Sequence, residues 1–195
     1  MRILSIAGKS LASLAKPFVV DLQAKPLSVT GLFAILGPTG SGKSTILDAL
    51  CLALYGTTPR SEKAGHAQIP SDAAKVWSAS DARHIARRGC TEAYARVRFE
   101  VRGVEYESEW RVGVNSKGAD EGQLKTPTIV LRDLSKPASE GVLARAITEH
   151  RLQVAAITGL DFKNFCQSVL LAQGEFAAFL QSPGAERARG SPRRR

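Results

Sequence analysis

The chain has 195 residues, 44% of them hydrophobic and 23% charged, which suits one globular domain with a real core and excludes disorder as the default reading. Its formal charge is +9, but Arg187–Arg195 holds five arginines and no acid, so the remaining chain carries only +4 and is not uniformly basic. Three scattered cysteines, Cys51, Cys90 and Cys166, form no C-x-x-C pair; they exclude a disulfide framework and read as reduced thiols in a cytoplasmic protein. The apolar start of the chain is too short for a signal peptide, and no run approaches the ~18 apolar residues of a spanning helix, so a soluble chain without a membrane partner is expected.

Residues Arg2–Ala7 and Phe18–Leu22 read as two short strands joined by a turn over Lys9–Lys16. Leu32–Leu36 is a continuous apolar run between Gly31 and Gly37, the pattern of a strand buried on both faces. A helix is expected from Lys43 to about Tyr55, stopped by Gly56 and Thr57-Thr58-Pro59, with Ile46, Leu47, Leu50 and Leu54 at helical spacing and Asp48 interrupting the apolar face. From Gly56 to about Thr91 the sequence is polar and irregular and reads as a long surface excursion with one short helix.

Period 2 then becomes clear. Ala93, Ala95, Val97, Phe99 and Val101 alternate with polar residues, and after Gly103 so do Val104, Tyr106, Ser108, Trp110 and Val112. An antiparallel hairpin follows, with one wet face on which a row of arginines meets a row of glutamates. Thr128–Leu131 is expected to add a strand, residues 141–158 an amphipathic helix, Ser168–Ala172 a strand, and Phe176, Phe179 and Leu180 one face of a further helix. Beyond Ser182 the sequence is Pro, Gly and Arg, and no packed structure is expected.

Gly37-Pro38-Thr39-Gly40-Ser41-Gly42-Lys43-Ser44 matches the P-loop pattern G-x-x-x-x-G-K-[S/T] at every fixed position, with an apolar run before it and a helix pattern after it. The chemistry needs these residue types. Glycines let successive backbone N–H groups converge on phosphate oxygens, and the helix N-terminus adds unpaired donors. Lys43 is expected to reach the β- and γ-phosphates of ATP, Ser44 to ligate Mg²⁺, and Thr45 to donate to the α-phosphate.

Two blocks carry a resemblance. Gly31–Pro59, GLFAILGPTGSGKSTILDALCLALYGTTP, and Thr158–Leu180, TGLDFKNFCQSVLLAQGEFAAFL, resemble the SbcC-type DNA-repair ATPases, relatives of the SMC proteins, and Ser13-Leu14 after the first strand also fits. The resemblance implies an α/β P-loop NTPase, an ABC-type ATPase head split by a long coiled coil, with this chain as its N-terminal lobe. The chain is read as that lobe over residues 1–181, with the antiparallel β hairpin as a subregion, followed by a basic tail over 182–195 whose composition predicts disorder. By position, Gln173 matches the family's Q-loop glutamine, a ligand of Mg²⁺ and of the attacking water, and so shares the catalytic role with Lys43. The implied partners are double-stranded DNA ends, an SbcD-type metallonuclease, the C-terminal lobe and a second ATPase head.

Departures are also visible. Ser10 and Ala12 stand where the family often has asparagines, so base contacts are not carried over. Arg189-Gly190-Ser191-Pro192-Arg193-Arg194-Arg195 replaces the family's coiled coil, which reads as a truncated or frameshifted product or a fragment. The residues after Gln173 contain no apolar strand ending in acid, so the chain is expected to bind ATP and hardly turn it over. Two other readings stay open. A transporter ATPase fragment would have an interval much shorter than the 130 residues between Lys43 and Gln173. A non-enzymatic nucleic-acid-binding module would fail to bind nucleotide. His66, His84 and His150 share no metal-ligand spacing.

Overall fold

The computed structural model describes residues 1–64, 68–70, 76–116 and 123–170. Its elements in chain order are β1 (Arg2–Lys9), β2 (Phe18–Asp21), α1 (Lys43–Tyr55), α2 (Pro59–Lys63), β3 (Gln68–Pro70), β4 (Val76–Ser78), β5 (Glu92–Val101), β6 (Val104–Gly113), β7 (Thr128–Asp133), β8 (Val142–Ala144), α3 (Ile147–Thr158) and α4 (Phe162–Phe165). The fold is α/β, as expected.

Six strands form one antiparallel sheet in the order β2-β1-β5-β6-β7-β8, and β3 and β4 form a separate two-stranded ribbon. The expected hairpin is its centre. Ala93, Ala95, Val97 and Phe99 of β5 are wholly buried, and Ser108, Trp110 and Val112 of β6 continue that face. Register places Arg96 opposite Glu109 and Arg98 opposite Glu107 on the outer face. Arg96 Nε donates to Glu109 at 2.6 Å, and Arg111 Nε donates to the same carboxylate at 2.9 Å. Burial pushes the Glu109 carboxyl up, but the guanidiniums of Arg111 and Arg96 outweigh it and hold the group below its usual range.

The inner face of the sheet packs on α1. Residues Ala49–Tyr55 of this helix are all buried, against the sheet on one side and α3 on another. A helix end apolar all round belongs inside a core, where each fully buried leucine such as Leu52 or Leu54 contributes about 1.5–3 kcal/mol. Gly56 ends the helix at φ +64, in the left-handed region, with its N–H on Leu52 O. Asp48 is buried too, and Arg60 of α2 comes within 2.7 Å of its carboxylate. Burial raises the Asp48 pKa, and Arg60 opposes the rise.

Several expectations need correction. Leu32–Leu36 is irregular, not a strand, and its side chains are exposed, Leu32 at 89% and Leu36 at 87%. A strand needs a hydrogen-bonded neighbour, and no described strand lies beside it. The Gly56–Thr91 excursion contains α2, the β3–β4 ribbon and a 3₁₀ turn at Ala82–Ile85, and Ile85 and Ala86 reach the core. Over 141–158 a short strand, β8, precedes the helix, which begins only at Ile147. Cys166–Leu170 is a π-helical turn and not the start of a strand. The expected helix at Phe176–Leu180 and the basic tail lie outside the described residues. Among the described residues no helix is long and apolar enough to cross a membrane.

Candidate nucleotide-binding site

The loop Gly37–Ser44 hangs on the start of α1, and its backbone explains its glycines. Gly40 and Gly42 have φ of +82 and +93, conformations that cost a residue with a Cβ and cost glycine little. A hydrogen bond from Ser41 N to Pro38 O, 3.2 Å, closes a turn inside the loop. Gly42 caps α1, and its carbonyl accepts the first helical bond, from Ile46 N at 3.2 Å.

With glycine as the cap, no side chain accepts from the first-turn amides, and no acid stands in that turn. The positive end of a helix about 20 Å long therefore ends beside the loop without an anion of its own. Lys43 folds back across the loop. Its Nζ donates to Gly37 O at 2.7 Å and to Pro38 O at 2.8 Å. The ammonium is thus held on two loop carbonyls, which phosphate oxygens could displace as acceptors. Ser44 is exposed at the mouth of the helix, whereas Thr45 is 4% exposed and turned to the core. Thr39 and Ser41 are exposed on the loop.

Gln173 lies outside the described residues, so its distance from Lys43 and Ser44 does not enter the geometry. The segment that leads toward it is anchored on α1. Tyr55 packs its ring 5.4 Å from both Phe162 and Phe165, and its hydroxyl donates to Leu160 O at 3.0 Å. The helix that begins at Lys43 therefore ends against the segment 160–165.

Sequence reasoning missed the polar links that hold α1 in place. Ser108, wholly buried, donates to Ala53 O at 2.6 Å and sits 2.7 Å from His150 Nε2. Arg151 Nε donates to Tyr55 O at 2.7 Å. One signal was available: a serine at an inward position of an otherwise apolar strand face must find a partner. A cavity of about 450 Å³ lies at the far end of α1, lined by Gly56, Trp110, Arg145 and Arg151 among others, and takes no part in the loop. Among the described residues no cluster of three His, Cys, Asp or Glu side chains could hold a metal ion.

The profile of the AAA domain matches residues 9–188. The chain is 48% identical over 190 residues to the SbcC component of the SbcCD nuclease of Rhodobacter capsulatus, an alignment that covers 96% of this chain and 15% of that protein. The SbcC component of the SbcCD nuclease of Pseudomonas aeruginosa is 43% identical over 188 residues, with 96% and 15% covered. The "Probable DNA double-strand break repair Rad50 ATPase" of Aquifex aeolicus is 29% identical over 182 residues, with 93% and 15% covered. The chain therefore spans about 15% of the length of the curated relatives it matches.

Proposed function

This chain belongs to the AAA-domain family, and on that ground we propose that it is the ATP-binding N-terminal lobe of a DNA-repair ATPase. The whole protein would work with a metallonuclease on DNA double-strand ends. The observation that carries the nucleotide half of this reading is the Lys43 ammonium, held on Gly37 O and Pro38 O beside a helix N-terminus that no side chain caps. The names of the relatives support the repair half.

The residues present fit ATP. Gly37–Ser44 would supply backbone amides to the phosphates, Lys43 would supply the charge for the β- and γ-phosphates, and the exposed Ser44 hydroxyl could face a Mg²⁺ ion. When bound, Mg²⁺ neutralises charge on the phosphate oxygens and fixes their orientation. Ser44 and Gln173 are the residues we assign to hold it, with Gln173 also orienting the attacking water. Thr45, 4% exposed, is assigned as a donor to the α-phosphate.

The partners follow from the same reading. The exposed apolar side chains of Leu32, Phe33, Ile35 and Leu36 suit a covering surface, which the C-terminal lobe of the same ATPase would supply. An SbcD-type metallonuclease, double-stranded DNA ends and a second ATPase head are the other partners proposed, in the cytoplasm. The catalytic acid and the clamp from the opposite head would come from those lobes, so the chain alone binds ATP with little turnover.

The test is steady-state phosphate release by the purified chain, with and without a separately expressed C-terminal lobe from an intact relative. Turnover should appear only with the added lobe and vanish in Lys43→Ala. Robust release by the chain alone, abolished by Lys43→Ala, would defeat the half-site assignment.

A further inference from the structure

The turn after β1 is bent more tightly than its residues prefer. Ser10 and Ala12 have φ of +53 and +44, left-handed values that residues with a Cβ seldom adopt. Such a conformation persists only where the surroundings over-determine it. Here they do. Leu11 and Leu14 exchange backbone hydrogen bonds at 3.0 and 2.8 Å, Ala12 N donates to Ile85 O at 2.8 Å, and Arg87 N donates to Ser10 O at 2.8 Å. Arg87 Nη1 adds a longer contact to Ala12 O at 3.4 Å, and Leu11 is wholly buried beneath.

What this turn presents is the side chain of Leu14, and it presents it to Gly42. A Cβ built on Gly42 would stand 2.5 Å from Leu14 Cδ2 and 2.7 Å from Leu14 Cγ, with Ser13 Oγ at 3.2 Å. Leu14 thus fills the space on which the last glycine of the loop rests. Gly42 is the N-terminal cap of α1 and precedes Lys43. We propose that Leu14 is a positioning residue for the phosphate-binding loop: the strained turn Ser10–Leu14, tied to Ile85 and Arg87, seats Leu14 against Gly42 and so sets where the Lys43 ammonium and the first-turn amides point.

The proposal rests on the nucleotide-binding reading for its function but not for its geometry, and the experiment separates the two. Hydrogen exchange of peptides covering residues 37–44 is measured in the 195-residue chain without nucleotide, for wild type, Leu14→Ala and Leu14→Met. Mg²⁺-dependent binding of a fluorescent ATP analogue is measured on the same proteins and on Lys43→Ala. Leu14→Ala should accelerate exchange over 37–44 and weaken binding about tenfold by loss of pre-organisation, and Leu14→Met, which conserves volume, should restore both. If Leu14→Ala does not fold, Leu14→Val should show the same two changes at smaller amplitude. Wild-type exchange over 37–44 in a folded Leu14→Ala or Leu14→Val protein overturns the proposal. So does faster exchange with unchanged affinity, provided Lys43→Ala has lost affinity. Wild-type affinity in Lys43→Ala instead defeats the nucleotide reading, and the exchange data still decide whether Leu14 holds the loop.

Discussion

Ser108 Oγ stands 2.7 Å from His150 Nε2, and this contact joins the central strand β6 to α3 through the middle of the core. The serine hydroxyl gives its single proton to Ala53 O at 2.6 Å, so the imidazole must donate from Nε2, and Nδ1 is left as a buried acceptor without a partner. Burial, with Arg151 adding to it, lowers the His150 pKa to about 4.

A pH dependence of stability follows. His150 is neutral in the fold and would charge on unfolding near its ordinary value of 6.5. The folded pKa lies below the unfolded one, so the unfolded chain binds more protons between them. The contribution is complete above about pH 6.5 and is lost as pH falls toward 4, roughly 3 kcal/mol in all. Urea denaturation across pH 4–8 should show this slope, and His150→Gln should flatten it. An equal slope in the variant would assign the effect to other groups.

Removing the hydroxyl should be costly in its own right. Ser108→Ala leaves the His150 Nε2–H and Ala53 O unpaired inside the core, at a cost of about 1–3 kcal/mol each before relaxation. Denaturant midpoints at pH 7.5, where His150 is neutral in both states, measure it. A midpoint equal to wild type would mean that water replaces the hydroxyl.

The end of α1 offers a steric prediction. Gly56 is left-handed, and a Cβ there would stand 2.8 Å from Ile147 Cδ1 and 3.4 Å from Ile129 Cδ1. Gly56→Ala should destabilise the chain by about 1–3 kcal/mol, combining left-handed strain with overpacking. Pairing it with Ile147→Val, which clears the nearer methyl, should recover part of the loss in thermal melting.

For nucleotide, the expected effect of Lys43→Ala is a ten- to hundred-fold loss of Mg²⁺·ATP affinity, the scale of one charge-assisted contact of about 1.5–3 kcal/mol. Titration with a fluorescent analogue reads it directly. Unchanged affinity in the folded variant removes the P-loop assignment.

For DNA, the +9 charge predicts weak, sequence-independent binding that falls with salt. Deleting residues 187–195 removes five arginines, so the slope of log K against log salt should flatten by at most about 4.5. If deletion abolishes binding at every salt concentration, the body of the chain contributes nothing and the tail alone explains the affinity.

Much of the fold was legible because local chemistry repeats. The period-2 alternation over 93–112 gave β5 and β6 and correctly set arginines against glutamates, since pleated strands send successive side chains to opposite faces. Helix α1 was legible at both ends, because Gly56 at φ +64 is a stop that only glycine makes cheaply. The loop Gly37–Ser44 was legible as a pattern of residue types. The short pieces between Gly56 and Thr91 were not, since strands of three residues carry too little periodicity to separate them from turns.

The glycine-rich loop pattern, the central hairpin and the first helix all depend on neighbours a few residues apart, so the order of residues along the chain was enough to point to them. The exposure of Leu32–Leu36 is a matter of long-range packing, because an apolar run becomes a buried strand only where another strand meets it. The same holds for Leu14 beneath Gly42 and for His150 against Ser108. Those contacts join residues 28 and 42 positions apart, and the packing of whole elements, not local propensity, brings them together.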